Sequence, residues 1–164
     1  MWSSDRRTLL KLAGATLLGA CGFTPAYAPQ GGGAALLAGV QPDSPKTQDD
    51  FALVRRLSER LGPVEVARYR LSYKIQTDVL GQAITPDNAT TRYSLTGLAD
   101  YTLHDAGSDA VLLTGRVTSF TSWSATGSIV ATQTAERDAH LRLMRMLADQ
   151  IVTRLLAQAG SLPK

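Results

Sequence analysis

Between Tyr69 and Phe120 the chain alternates apolar and polar side chains through three successive stretches, and this pattern restricts the fold more than any other feature. Tyr69, Leu71, Tyr73 and Ile75 alternate with Arg70, Ser72, Lys74 and Gln76. After a loop signalled by Pro86-Asp87-Asn88, Tyr93, Leu95, Gly97, Ala99, Tyr101 and Leu103 share one parity, with Thr90, Arg92, Ser94, Thr96 and Asp100 on the other. After a turn at Asp105–Asp109, Val111, Leu113, Gly115 and Val117 alternate with Thr114, Arg116 and Thr118. Side chains in a strand point to opposite faces in turn, so period two predicts three consecutive antiparallel strands with one apolar and one polar face. Val64 and Val66 are out of phase with the first strand, which predicts a bulge or change of direction near Ala67. Ser119, Ser122, Ser124 and Ser128 read as a loop beyond the last strand.

A sheet with one apolar face must be covered. Two segments have the pattern to do it. Phe51, Val54, Leu57 and Leu61 fall at helical spacing, behind Asp49 and Asp50 and a cap at Thr47 or Asp49. Gly62 and Pro63 end that helix. A longer helix is predicted over Thr132–Gln158, where Ala135, Ala139, Leu143, Leu147, Ile151 and Leu155 recur every four residues and Met146 and Val152 widen the stripe. Arg137, Arg142, Arg145, Asp149 and Arg154 lie opposite. At ~1.5 Å per residue that helix is about 40 Å long, enough to cross the sheet. Leu36–Val40 reads as a short first strand, broken by Pro42, Ser44 and Pro45. The expected fold is α+β: a two-layer sandwich over residues 36–160, with two helices packed on one face of a mostly antiparallel four-stranded sheet.

The residues ahead of this domain read as an address. Arg6, Arg7 and Lys11 form a positive head, and Leu9 to Ala20 is an apolar and small-residue stretch with no charge after Lys11, too short to span a bilayer and of the right size for an export signal. It ends Leu18-Gly19-Ala20-Cys21, which looks like a lipobox. The reading is a signal peptide over residues 1–20, cleaved before an acylated Cys21, and a tether over residues 21–35 holding Pro25, Pro29 and Gly31-Gly32-Gly33. One acyl chain holds a protein only marginally, whereas two or three on one cysteine hold it firmly. Asp5-Arg6-Arg7-Thr8-Leu9-Leu10-Lys11 also resembles a twin-arginine signal; general and twin-arginine export both remain open. Gly22, where an aspartate would favour the inner membrane, leans toward the outer membrane. Cleavage would reduce the formal charge of +3 to about +1, so net charge implies no nucleic-acid partner.

No catalytic constellation is visible, and neither a metal nor a cofactor is expected. His104 and His140 lack metal-ligand spacing and read as surface or part-buried polar residues. Cys21, once acylated, is no nucleophile. The serines have no G-x-S-x-G setting, and the triple glycine lacks the strand before it and the Lys-Ser or Lys-Thr after it that a phosphate loop needs. The polar sheet face carries Arg70, Lys74, Arg92 and Arg116. Such a face is ordinarily solvated. Its functional reading is a patch for the phosphates of an anionic lipid, which the planar arginine fork suits.

Three stretches resemble a known family. They are Cys21-Gly22-Phe23-Thr24-Pro25-Ala26-Tyr27; Thr91-Arg92-Tyr93-Ser94-Leu95 with Gly97, Ala99-Asp100-Tyr101 and Leu103-His104-Asp105; and Ser128–Ala131 with Ala135-Glu136-Arg137-Asp138-Ala139, Leu147-Ala148, Gln150-Ile151 and Arg154-Leu155. Together they resemble the LptE family of lipopolysaccharide-assembly lipoproteins, in order along nearly the whole mature chain. The resemblance implies two helices on a four-stranded sheet. It implies a place on the periplasmic side of the outer membrane, a role as plug of the LptD β-barrel, and binding of lipopolysaccharide through basic residues, among which Arg92 aligns. Lys74, Arg70 and Arg116 join it from strand alternation alone. The alternative is a periplasmic solute-binding or ABC-transporter-auxiliary lipoprotein, which needs an enclosed pocket between helices and sheet.

Overall fold

The computed structural model describes residues 33–162 apart from residue 65. The signal, Cys21 and the tether up to residue 32 lie outside the described residues. In chain order the elements are α1 (Gly33–Leu37), β1 (Val40–Pro42), α2 (Gln48–Leu61), β2 (Tyr69–Ile84), β3 (Thr90–Asp105), β4 (Val111–Ser124) and α3 (Ile129–Gln158), with a closing 3-10 turn at Ala159–Ser161. The sheet has four strands in the order β1-β2-β3-β4; β1 runs parallel to β2 and the rest are antiparallel. This is the expected two-layer architecture, with the helices on one face.

The register explains the layering. Tyr101 pairs with Tyr73 and Gly115, and Ala99 with Ile75 and Val117, so the apolar parities of three strands meet on one face. Leu71, Leu95, Ala99, Leu103 and Val117 are fully buried there, beneath Leu143, Leu147, Ile151 and Leu155 of α3. The space between helix and sheet is filled by these side chains. A second row on α3, Met144, Ala148, Val152 and Leu156, is also buried. The predicted single stripe was too narrow because α3 is covered by α2 as well as by the sheet.

α2 begins at a capping box: Thr47 accepts from the Asp50 N–H at 3.1 Å, and the Asp50 carboxylate accepts from the Thr47 N–H at 2.9 Å. It ends at Gly62, whose φ of +81° suits glycine. Its buried residues are Ala52, Leu53, Leu57 and Leu61. Phe51, expected on the apolar stripe, is 61 % exposed. α2 meets α3 through polar ties: Arg56 donates to both Asp149 oxygens at 3.0 and 3.1 Å, Arg60 to one at 2.8 Å, and His140 lies 3.0 Å from Asp49.

Other expectations are corrected. Leu36 and Leu37 close a short helix and the first strand begins only at Val40, because Leu36 tucks into the core beside the helices. Val64 and Val66 belong to no strand or bulge among the described residues; of the two alternatives near Ala67 the chain takes the change of direction, a bend at Val66 before β2 starts at Tyr69. Ser119, Ser122 and Ser124 are not loop. β4 continues to Ser124, with Trp123 buried and stacked on Tyr93 at 5.1 Å. Polar inward residues of this stretch find partners on α3: Thr121 donates to the Ala139 carbonyl and Ser119 to the Met146 sulfur. β2 also runs past the expected end at Gln76 to Ile84, and from Thr77 onward all its residues are exposed.

Candidate functional site

The outer face of the sheet carries the residues that the sequence marked. Lys74 pairs in register with Asp100, and Asp100 with Arg116, so a carboxylate on β3 sits between two cations on neighbouring strands. Arg116 grips Asp100 with two bonds, 2.6 and 3.0 Å. That grip holds the Asp100 carboxyl below its ordinary value, with Lys74 adding a weaker pull. Arg70, beside His104 in register, donates to Asp109 at 2.6 Å and to Asp43 at 3.4 Å. The Arg70 contact likewise lowers Asp109. Asp109 is presented by a turn in which it takes φ of +57°, and Asp105 anchors that turn by accepting from Ser108 and Gly107.

Of the four basic residues, three are brought together and one is not. Arg70, Lys74 and Arg116 surround the lower part of β2 and β3. Arg92 shares their face but lies eight positions along β3 from Asp100, about 26 Å at the rise of a strand, opposite Ser124. Arg70 and Arg116 have their donors engaged by carboxylates. Lys74 and Arg92 are exposed and make no ion pair among the described residues. The alternation of β3 already put Asp100 on this face; Asp43 and Asp109 come from a loop and a turn, where spacing carries no facing information.

A second feature had no signal in the sequence. An open groove of about 1490 Å³ runs beside β2, walled by Lys46 and Phe51 at the start of α2, by Tyr73 and Ile75 of β2, and by Arg137 and Leu141 of α3. Burial beside Asp50 and Asp43 raises the Tyr73 phenol to about 12. The groove arises because α3 covers β3 and β4, while α2 is too short to follow β2 beyond Ile75.

His104 and His140 are both part-buried and hydrogen-bonded, to Ser72 and Asp109 and to Asp49 respectively. Among the described residues no group of three or more His, Cys, Asp or Glu is placed to hold a metal ion. No described helix is long and apolar enough to cross a membrane.

The family model described as lipopolysaccharide-assembly, LptE, matches residues 37–155. Among curated proteins none matches this sequence. Among solved structures, a lipoprotein of Caulobacter crescentus is similar at a TM-score of 0.67 and 17 % identity, over 80 % of this chain and 98 % of its own. The rare lipoprotein B of Shewanella oneidensis follows at 0.57 and 10 % identity, over 75 % and 96 %. A minor lipoprotein of Acinetobacter baumannii gives 0.53 and 17 %, over 77 % and 92 %. At such identities these likenesses speak for the fold.

Proposed function

The chain belongs to the LptE family of lipopolysaccharide-assembly proteins, and from that membership we propose that it is an outer-membrane lipoprotein which plugs an LptD-type β-barrel and hands lipopolysaccharide through it. It is held by acyl chains on Cys21 after removal of residues 1–20 and faces the periplasm. Its role is non-catalytic: it binds and positions.

The observation that carries the plug reading is the outer face of the sheet. Thr102, Thr114 and Thr118 stand beside the Arg116–Asp100 and Arg70–Asp109 pairs, with Leu80 and Phe120 exposed farther along the same face. The wall of a barrel lumen is polar, and a plug must present a polar, internally neutralised surface to it. An exposed ion pair contributes little to stability, so these pairs matter more for keeping the face wettable without a large net charge.

Lipopolysaccharide is recognised on the same face by its phosphates. Lys74 and Arg92 are the cations available to a phosphate at once. Arg70 and Arg116 contribute when a phosphate oxygen replaces the carboxylate that each now holds, which their bidentate forks permit. Binding of purified lipopolysaccharide to the full chain tests this. Lys74→Glu and Arg92→Asp each weaken it about tenfold, the scale of losing one charge-assisted contact, while circular dichroism stays unchanged. Unchanged affinity in both variants removes this face from recognition.

The family assignment leaves the transporter-auxiliary alternative without a supporting observation. The space between α3 and strands β3 and β4 is filled, and the groove between the helices and β2 is open, not enclosed.

A further inference from the structure

The two long edges of the sheet are treated differently. The free edge of β4 is capped by α3: Arg154 donates to the Arg116 carbonyl at 2.7 Å, Gln150 to that of Thr118 at 3.2 Å and Arg142 to that of Ser122 at 3.3 Å. Those side chains, of which Arg142 and Arg154 were expected on the polar face of the helix, occupy acceptors that another strand would need. Such covering is a known defence against edge-to-edge pairing.

The opposite edge has no such cover. β1 pairs with β2 only over Tyr69–Leu71, leaving the rest of β2 as an edge. The Leu71 carbonyl accepts from the Asp43 N–H at 2.9 Å, so it points away from β3. Alternation then turns the N–H and C=O groups of Tyr73, Ile75, Thr77 and Val79 to the same open side. Among the described residues no hydrogen bond reaches them there. The groove lies over the inner face of this part of β2, between it and the two helices, so neither helix packs against the strand there.

The side chains of β2 are self-complementary about Gln76. In an antiparallel pairing of β2 with a second β2 centred on that residue, Lys74 stands opposite Asp78 of the other copy, twice. Tyr73 stands opposite Val79 and Ile75 opposite Thr77, also twice. Ile75–Thr77 and Tyr73–Val79 are then the hydrogen-bonded pairs, which use the groups that face the open edge. Centring on Lys74 or Asp78 would oppose like charges, and centring on Ile75 or Thr77 pairs no opposite charges. We propose that the occupant of the open β2 edge is a second copy of this chain, joined through Tyr73–Val79 of β2 about a two-fold axis at Gln76 to make one continuous sheet with all helices on one face; beyond Val79 the irregularity at Gly81 and Ala83 carries the strand clear of the other copy's β1, which holds the edge at Tyr69–Leu71. A copy seated in a barrel lumen has no room for a second, so the pairing describes the chain outside a barrel.

The test is a disulfide in the purified full-length chain, kept in mild detergent without any barrel. In Gln76→Cys the two thiols meet at a non-hydrogen-bonded position, where Cα atoms are about 4.5 Å apart, within bridging distance. Leu80→Cys is the control, because its two copies would lie roughly 27 Å apart along the strands. Both positions are exposed. On oxidation the Gln76→Cys chain gives a covalent dimer well above the unmodified chain, which retains Cys21, and Leu80→Cys does not. Adding Asp78→Lys lowers the dimer yield about tenfold by opposing like charges, and adding Lys74→Asp to that restores it. Equal yields at both cysteines, no dimer at Gln76, indifference to Asp78→Lys, or an adduct with a different protein in place of the dimer overturns the proposal.

Discussion

Gly97 sits on β3 at the point of closest approach to α3. A Cβ built there would come within 2.7 Å of Leu143, a fully buried side chain with no space to retreat. Gly97→Ala is expected to destabilise the domain by ~1–3 kcal/mol, measured by urea unfolding, as overpacking does. A change under a few tenths would mean that helix and sheet separate more easily than the packing implies. The alternation placed Gly97 on the inner face, but not that α3 presses on it there. At the outer face, Asp100 and Asp109 have folded pKa values below the ordinary carboxylate value. The stabilisation they give is therefore full above about pH 4, where an unfolded Asp is ionised, and is lost as pH falls through their lowered values. Removing both partners with Arg70→Ala and Arg116→Ala should make the fall in thermal stability below about pH 4 shallower. An unchanged acid profile would show that the pairs do not hold in solution. All four basic residues were legible as members of the polar face. That two of them are engaged by Asp43, Asp100 and Asp109 depends on loops and turns that periodicity does not describe.

The elements were readable where one principle dominated. β2, β3 and β4 announce themselves by period two, and α2 by its acidic start, with Thr47 as one of two candidate caps, and its Gly62 stop. Thr47→Ala, which removes one half of the capping box, is expected to cost about 1 kcal/mol in a thermal or urea melt. A neutral result would mean that packing of Leu53 and Leu57 fixes the helix start without the cap. Phe51 misled because it matches the helical spacing of Leu57 and Leu61, yet the face that packs is set by Leu53, one turn ahead of Leu57. The end of β4 misled for a different reason. Ser119, Thr121, Ser122 and Ser124 are loop-like in composition, but pairing with β3 satisfies their backbone and α3 supplies partners for inward hydroxyls. Tertiary partners override local composition there. The continuation of β2 to Ile84 is the same lesson: Leu80, Gly81 and Ala83 do not keep a clean alternation, and the strand persists because β3 pairs with it along its length.

For the whole molecule, the division of labour follows from coverage. α3 spans β3 and β4, α2 packs on α3 and β1, and the outer face is left exposed and largely polar, with Leu80 and Phe120 on it, so one side of the sheet is core and the other is available to a partner. Family membership gives that available side its context in lipopolysaccharide assembly, with an LptD-type barrel as the proposed partner. The most direct test is co-isolation of the tagged full-length chain from its own envelope in mild detergent, with the associated proteins identified by mass spectrometry. The account predicts a stoichiometric large outer-membrane β-barrel, retained when Phe51 is changed to Ser in the groove and diminished when Thr118 on the outer face is changed to a bulky Trp. Recovery of an inner-membrane transporter instead, or of no barrel at all, would contradict it.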